Sequence, residues 1–486
     1  MTIIQAIYEN SLKYPNKLAI AASDGELTYQ ELWDYAIKFS QYINSLQIPK
    51  NMPIVIQGMQ NSAFIIVLLS VLLHEGIIVP ISKDITDDSL NDIISKTQAC
   101  YVFNQTTLKD FTLKGIQTLL QISAPPPLTI NHTIIEENIS DILFTTGTTG
   151  TPEGIIHTHK SHYATVENIL HCLNMQKNNI TLITSPLNHS FGLRRLYANL
   201  VNGSSIIILE NIFPIDNFFK LINKYNINSI VMNPSTISII LTVARTNLSK
   251  YAKQITYIEF TGSILKQNII ETLIEVLPNT CIYNMYGSTE AGVMLGCNIS
   301  KYKNKINSIG TPNINSHIII LDKNNKEVTG FGKEHAGYLS IRSPIIMKGY
   351  LNNEEKTKEA LKDNLYITKD IVYKDEDNFY YFIARESDII NIGGLKIAPE
   401  EIEDIVNLYS GVIESACIGK KDEIAGEFPV LFIVKNNFYT SSDFNNYIKN
   451  KMEKHKHPKE IYFIKEIPRT FNGKISRKIL RDLLKE

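Results

Sequence analysis

PIVIQGMQNSAFIIVLLSVLLHEGIIVPI, residues 53–81, decides the fold. Short runs rich in Ile and Val at either end have strand character. The apolar stretch between them opens at Asn61/Ser62 and stops at Gly76, as a helix would. A strand, a helix and a second strand in direct succession predict a parallel pair with a covering helix. The same alternation recurs in ITLITSPLNHSFGLRRLYANLVNGSSIIIL (180–209), INSIVMNPSTISIILTVART (227–246) and ITYIEFTGSILKQNIIETLIEVLPNTCIYNMYGSTE (255–290). The chain is therefore read as α/β: a large N-terminal domain of helix-covered, mainly parallel sheets. Nearer the start, Asp24-Gly25 marks a hairpin turn and Thr28-x-x-Glu31 a capping box. Ala124 to Leu128 (APPPL) is a stiff connector. Beyond about residue 385 the texture changes to short strands (SACIG, VLFIVK, EIYFIKE) with amphipathic helices. That predicts a small, mobile α+β C-terminal domain, with domains at 1–385 and 386–486.

The bulk composition excludes several classes. With 486 residues, 44% apolar and 20% charged, the chain is an ordinary globular protein of more than one domain. A net charge of −1 gives no global field toward nucleic acid or anionic lipid. Residues 451–486 are locally basic, with 11 Lys/Arg against 5 Asp/Glu. They read first as a solvated face, with a small anionic ligand as the alternative. The 5 cysteines are scattered and never in a C-x-x-C pair, which argues against a disulfide framework or a zinc site. The first residues lack a basic, apolar leader pattern, and the longest apolar run, Ala63 to Leu73, falls short of a membrane span. A cytoplasmic protein with no integral membrane association and no nucleic-acid partner is expected.

Ligands of open α/β sheets collect beyond the carboxyl ends of the strands. Three unusual stretches are predicted there: Thr145–Gly154, Thr261-Gly262-Ser263 and Tyr286–Glu290. One shared cleft is implied. The first stretch, from Phe144 through Gly154, holds 3 glycines and 5 threonines. Its frame Gly147–Gly154 is not a Walker loop, because Glu153 stands where that motif has lysine. Exposed amides with interleaved hydroxyls still make an anion nest.

TTGTTGTPEG (145–154) resembles the T-S-G-T-T-G-x-P-K-G signature of the adenylate-forming enzymes, the family of acyl-CoA synthetases, luciferases and the adenylation domains of peptide synthetases. The differences are Thr146 for Ser and Glu153 for Lys. Further segments are similar to that family in the same order: LTYQEL (27–32), SPLNHSFGL (185–193), MYGSTEAG (285–292), YITKDI (366–371), ARESDIINIGGLKIAPEEIE (384–403) and IPRTFNGKISRKILRDLL (467–484).

The resemblance implies that a carboxylate and ATP yield an acyl-adenylate and pyrophosphate, and that a thiol then displaces AMP. Thr145, Thr146, Thr148, Thr149, Gly147, Gly150 and Gly154 would wrap the phosphates. Thr289 would bond the α-phosphate, and Glu290 would carry Mg2+ as a hard oxygen ligand. Thr261, Gly262, Ser263, Tyr286, Gly287 and Ser288 would form the adenine side, and Asp370 with Arg385 would hold the ribose. Lys474 would swing in to bridge the carboxylate and the α-phosphate. Ser387 would be the hinge, with Gly393 and Gly394 facing the thiol tunnel. His189, Asn233, Pro234, Ser235, Gly262, Met285, Gly287 and Met294 would surround the acyl group, and a structural histidine is the competing account of His189. PLNHSFGL lacks the aspartate that holds an amine in amino-acid-activating relatives, which favours a plain carboxylic acid, aromatic or of medium length. Arg194 and Arg195 are expected on a helix surface, or else against a second substrate carboxylate. Coenzyme A is the leading thiol, the phosphopantetheine of an acyl carrier protein the alternative. A non-catalytic, nucleotide-binding regulator is the competing class, motivated by Glu153, which is expected to weaken ATP retention.

Overall fold

The computed structural model describes residues 1–124, 134–146, 152–262, 265, 267–392, 395–422, 426–470 and 474–484, the side chain of Thr146 excepted. The connector at 125–128 thus lies outside the described residues. Two compact units are present: Met1–Ile318 with Ile341–Tyr366, and Ile319–Ser340 with Ile367–Glu486.

In the first unit, residues 53–81 fold as their pattern dictates. The strands Pro53–Gln57 and Ile77–Ile81 pair in parallel, from Pro53↔Ile77 to Gln57↔Ile81. The helix Ser62–Leu73 crosses between them, and the Asn61 side chain caps it by accepting from the Phe64 amide at 3.0 Å. All of that helix is buried, which is why it has no polar face. Its one internal hydroxyl, Ser70, is satisfied by the Ile66 carbonyl at 2.6 Å. The chain turns back through Glu75, a non-glycine at φ 61°, before Gly76. Against this helix packs Tyr29–Ser45, opened by the expected capping box: Thr28 N to Glu31 Oε2 at 2.8 Å and Glu31 N to Thr28 Oγ1 at 3.2 Å.

Two sheets result. In the nine-stranded sheet, Cys281–Ser288, Tyr257–Phe260, Ser229–Met232, Ile180–Ile183, Ser205–Ile208 and Leu18–Ala22 run parallel. Antiparallel strands close its edges, Gly25–Thr28 at one and Gly292–Asn298 with Thr311–Pro312 at the other. In the six-stranded sheet, Tyr101–Phe103, Pro53–Gln57, Ile77–Ile81 and Ile139–Thr146 are parallel, followed by antiparallel Pro152–Thr158 and Gly349–Tyr350. The α/β architecture with mainly parallel sheets is as expected. Because the strands are parallel, residues 185–193, 233–235, 261–262 and 289–290 all follow carboxyl ends on one edge of the larger sheet, with 286–288 the last residues of their strand.

The second unit is α+β. Val412–Asp422 and Gly426–Lys435 are antiparallel, Glu460–Phe463 runs parallel to the latter, and the helices Pro399–Asn407, Ser441–Lys451 and Arg477–Leu483 accompany them. Its core joins Ile402, Val406, Leu431, Ile433 and Phe444. The packing unit begins at Ile367 and takes in Ile319–Ser340, so residues 385/386 fall inside it. All five cysteines are free thiols. Among the described residues no helix is long and apolar enough to cross a membrane.

Candidate active site

The described residues on either side of the Gly/Thr-rich stretch form an antiparallel strand pair. Ile139–Thr146 and Pro152–Thr158 pair antiparallel, with Thr145 opposite Glu153 and Phe144 opposite Gly154. Glu153 and Gly154 therefore lie in the returning strand. A Cβ at Gly154 would lie 2.9 Å from Ile142 Cγ2 and 3.0 Å from Leu351 Cβ, so close packing by itself favours glycine there.

The turn that follows Cys281–Ser288 is bonded to this hairpin. His157, on the returning strand, donates from Nε2 to the Thr289 carbonyl at 2.8 Å. Arg194, on the helix Ser190–Asn202, donates to the same carbonyl at 2.7 Å and to the Ser288 carbonyl at 2.8 Å. The Thr289 hydroxyl meets Ser190 Oγ at 3.1 Å. Ala291 N donates to Ser288 Oγ at 3.2 Å. Burial, then the neighbouring Arg194 and His162, push His157 down to about 3, so the ring is neutral. Burial also lowers Arg194, to about 10, which leaves it a cation. A third contact reaches the turn from residues 347–350. Met347 N donates to the Glu290 carbonyl at 2.6 Å, and Tyr350 OH lies 3.3 Å from Glu290 Oε1. Tyr350 itself pairs with Ile155 of the hairpin strand. Glu290 is half-buried and faces a hydroxyl, which suits a hard cation whose remaining ligands are water and phosphate oxygens. Among the described residues no group of three His, Cys, Asp or Glu side chains could cage an ion.

These contacts correct one expectation. Arg194 and Arg195 are not on a helix surface; they are 3% and 2% exposed. Arg195 is paired with the buried Glu259, Nε to Oε1 at 2.8 Å, and its guanidinium stacks on Phe191 with 4.7 Å to the ring centroid. Both cations are thus engaged by protein groups.

The acyl-side candidates have mixed surroundings. His189 precedes the Ser190–Asn202 helix without capping it, and burial lowers it to about 4, giving a neutral imidazole. Asn233 caps Pro234–Ser249, its Oδ1 accepting from Ser235 Oγ at 2.8 Å, Thr236 N at 2.9 Å and Thr236 Oγ1 at 2.7 Å. Pro234 is buried at the first helical position. Gly262, at φ 94°, takes a conformation only glycine adopts readily. Thr261 Oγ1 bonds the Met285 carbonyl at 2.5 Å, joining two of the expected loops. Met285 and Met294 are interior, Tyr286 is half-buried, and a Cβ on Gly287 would sit 2.0 Å from the Gly292 carbonyl oxygen.

In the second unit, Asp370 and Arg385 face one another across adjacent strands, Nε to Oδ1 at 3.7 Å, and Asp370 N donates to Thr368 Oγ1 at 3.1 Å. Ser387 is exposed in a 3-10 turn, Glu386–Asp388, whose Glu386 accepts from Tyr338 OH at 2.5 Å. Lys474 is exposed, with Thr470 N on its carbonyl at 2.7 Å. The side chain of Thr146 and residues Gly147, Thr148, Thr149, Gly150, Ser263, Gly393 and Gly394 lie outside the described residues.

Sequence reasoning passed over His157, Arg194 as a turn-holding group, Tyr350 and Lys356. Only Arg194 left a signal: the run SFGLRRLYANL has almost no polar face on which an arginine could be solvated.

A family model described as AMP-binding enzyme matches residues 7–351, and one described as AMP-binding enzyme C-terminal domain matches 401–474. The chain is 26% identical over 480 residues to a 2-succinylbenzoate–CoA ligase of Bacillus cereus, covering 97% of both. It is likewise 26% identical over 483 residues to the 2-succinylbenzoate–CoA ligase of Bacillus cytotoxicus, again covering 97% of both. The fold is that of o-succinylbenzoate CoA synthetase from Bacillus subtilis in complex with its acyl-adenylate intermediate, with a TM-score of 0.86, 19% identity and coverage of 99% and 98%. It is also that of ATP-bound MatB from Rhodopseudomonas palustris, with a TM-score of 0.88, 20% identity and coverage of 100% and 99%.

Proposed function

Because the chain belongs to the AMP-binding enzyme family, we propose that it is an acid–CoA ligase. It joins a carboxylate to the α-phosphorus of ATP, releases pyrophosphate, and passes the acyl group to the thiol of coenzyme A. The observation that carries this proposal is the double clamp on the Thr289 carbonyl by His157 and Arg194, which ties the Ser288–Glu290 turn to the Gly/Thr hairpin. Two stretches far apart in sequence are thereby bonded together, which supports their serving one phosphate site.

In the first step a carboxylate oxygen attacks phosphorus while the bond to the pyrophosphate oxygen breaks. Both partners are anions, so the site must supply positive charge and in-line geometry. The Thr289 hydroxyl orients the α-phosphate, and the hairpin residues Thr145 to Gly150 hold the terminal phosphates. Mg2+, when bound at Glu290, screens the charge of the triphosphate. Asp370 accepts from the ribose hydroxyls beside Arg385. Lys474, carried by the C-terminal domain 386–486, is brought to the carboxylate by rotation at Ser387. The thiol then attacks the acyl carbon past Gly393 and Gly394, and AMP leaves with the bonding electrons.

For the acid, we favour a monocarboxylate. The candidate lining (His189, Asn233, Pro234, Ser235, Met285 and Met294) contains no cation, and both nearby arginines are engaged. A second carboxylate, as the name 2-succinylbenzoate implies for the relatives, would lack a partner among these groups. Acid-dependent exchange of labelled pyrophosphate into ATP tests the proposal with aromatic and aliphatic monocarboxylates beside 2-succinylbenzoate. Exchange with a monocarboxylate supports it. No exchange with any acid points to a nucleotide-binding regulator, and preferred exchange with the dicarboxylate overturns the substrate assignment. Trapping the acyl group on free CoA or on a phosphopantetheinylated carrier separates the two acceptors.

A further inference from the structure

A carboxylate beside a triphosphate site repels its ligand unless something offsets it. Glu153 stands directly across from Thr145, one of the residues proposed to meet the phosphates, and residues opposite one another in a sheet share a face. The structure supplies the offset from far along the chain. Lys356, on the helix Glu354–Ala360, donates to Glu153 Oε2, a contact spanning 203 residues. Its ammonium also lies 4.6 Å from the centroid of the Tyr350 ring, within cation–π range. The same tyrosine presents its hydroxyl to Glu290 at 3.3 Å. One aromatic side chain therefore touches both the cation and the carboxylate assigned to Mg2+.

This arrangement is built rather than incidental. Tyr350 is locked in the sheet opposite Ile155, its amide donates to Thr357 Oγ1 at 2.9 Å, and Thr357 Oγ1 in turn donates to the Asn353 carbonyl at 2.8 Å. Leu351 N reaches the Gly154 carbonyl at 2.8 Å. Lys356 is only 32% and Glu153 24% exposed, so water screens the pair incompletely.

Resting on the function proposed above, we propose that Lys356 is a nucleotide-binding residue, the cation for the terminal phosphates of ATP, held in place by Glu153 and Tyr350. An ammonium has three donors, and the bond to Glu153 engages one. The others are available to a phosphate oxygen, and the Glu153 charge is cancelled where it would otherwise repel.

Titration calorimetry with MgATP and, separately, with AMP tests this, because AMP lacks the terminal phosphates. Lys356→Met is expected to weaken MgATP about tenfold and to leave AMP within about twofold. Lys356→Arg should retain most of the MgATP affinity. Unchanged MgATP binding by Lys356→Met overturns the proposal, as does equal weakening of MgATP and AMP, the mark of a merely structural pair. If Lys356→Met does not fold, Glu153→Gln carries the test alone. Freeing the ammonium should tighten MgATP several-fold at constant AMP affinity, and no change overturns the proposal. A parent protein that binds neither nucleotide overturns this inference together with the function. A parent that binds MgATP but supports no acid-dependent exchange removes the ligase assignment and leaves Lys356 standing.

Discussion

The carbonyl oxygen of Thr289 takes two neighbouring donors, a neutral imidazole and a buried guanidinium. Only a planar fork can serve the Ser288 and Thr289 carbonyls together, so Arg194→Lys is not conservative here. Arg194→Met is expected to cost about 1–3 kcal/mol of stability, since it takes the guanidinium donor from the Ser288 carbonyl and leaves His157 alone on that of Thr289. It should also lower the adenylation turnover at least about tenfold while the KM for the acid changes little, because the lost group holds the turn proposed to meet the phosphates and not the acyl side. Thermal melts and steady-state pyrophosphate release check both, and a variant of parental turnover would remove the positioning role. At this scale the sequence was half legible. Thr289 and Glu290 stood out within a motif, but their supports did not, since a strand histidine and a helix arginine look ordinary until the fold brings them to one oxygen. Lys356 and Tyr350 were hidden for the same reason, lying some two hundred residues from Glu153.

The elements themselves were more legible, because periodicity is local. The 53–81 unit, the capping box at Thr28 and the turn at Gly25 could be read directly, each being decided by neighbours in sequence. The hairpin Ile139–Thr146/Pro152–Thr158 was read only as a strand feeding a loop, since its returning half, PEGIIHT, breaks alternation with a proline and a glycine. The junction of that half with the helix His159–Cys172 has its own chemistry. His157 and His159 are 1% and 2% exposed, and burial lowers them to about 3 and about 4. Above pH about 6.5 neither state binds these protons, so they add nothing to the pH dependence. As the pH falls below that value, the unfolded chain takes up protons that the native junction refuses until the folded values are reached. Stability is then lost at up to about 1.4 kcal/mol per pH unit for each ring. His159→Gln should recover about 2 kcal/mol of the loss at pH 5 and nothing at pH 7.5. Chemical denaturation at the two pH values decides it, and an equal effect of the substitution at both would show that the ring acts through packing alone.

At the scale of the whole molecule, composition predicted more than one domain, and the change of texture near residue 385 located the second core. Packing nevertheless counts the Leu365–Lys374/Tyr380–Arg385 hairpin and Ile319–Ser340 with the later residues. Such a division depends on contacts between distant strands, which local texture does not report. Within the second unit, the segment bearing Lys474 is anchored at both ends. Arg469 bridges Ile475, Lys474 N donates to Thr470 Oγ1 at 3.2 Å, and Ser476 opens the helix Arg477–Leu483. Arg477 is nearly buried and donates to Glu403 at 2.5 Å and Glu400 at 2.7 Å, with Asp388 Oδ2 3.5 Å from its Nε. The base of the lysine segment is thus tied to the residue just after Ser387, so the rotation proposed at Ser387 would carry the lysine with it. In the proposed mechanism an ammonium delivered in this way would be needed while charge develops between carboxylate and phosphate, and idle once the adenylate exists. Lys474→Ala should therefore lower adenylation by about two to three orders of magnitude and leave thioester formation from supplied acyl-adenylate and CoA within a few-fold of the parent. Arg477 is untouched in that variant, so its melting temperature should match the parent's, which separates lost chemistry from lost structure. Equal loss in both half-reactions would mean that the lysine serves the fold or the nucleotide in general, and the assigned role in the first step would fall.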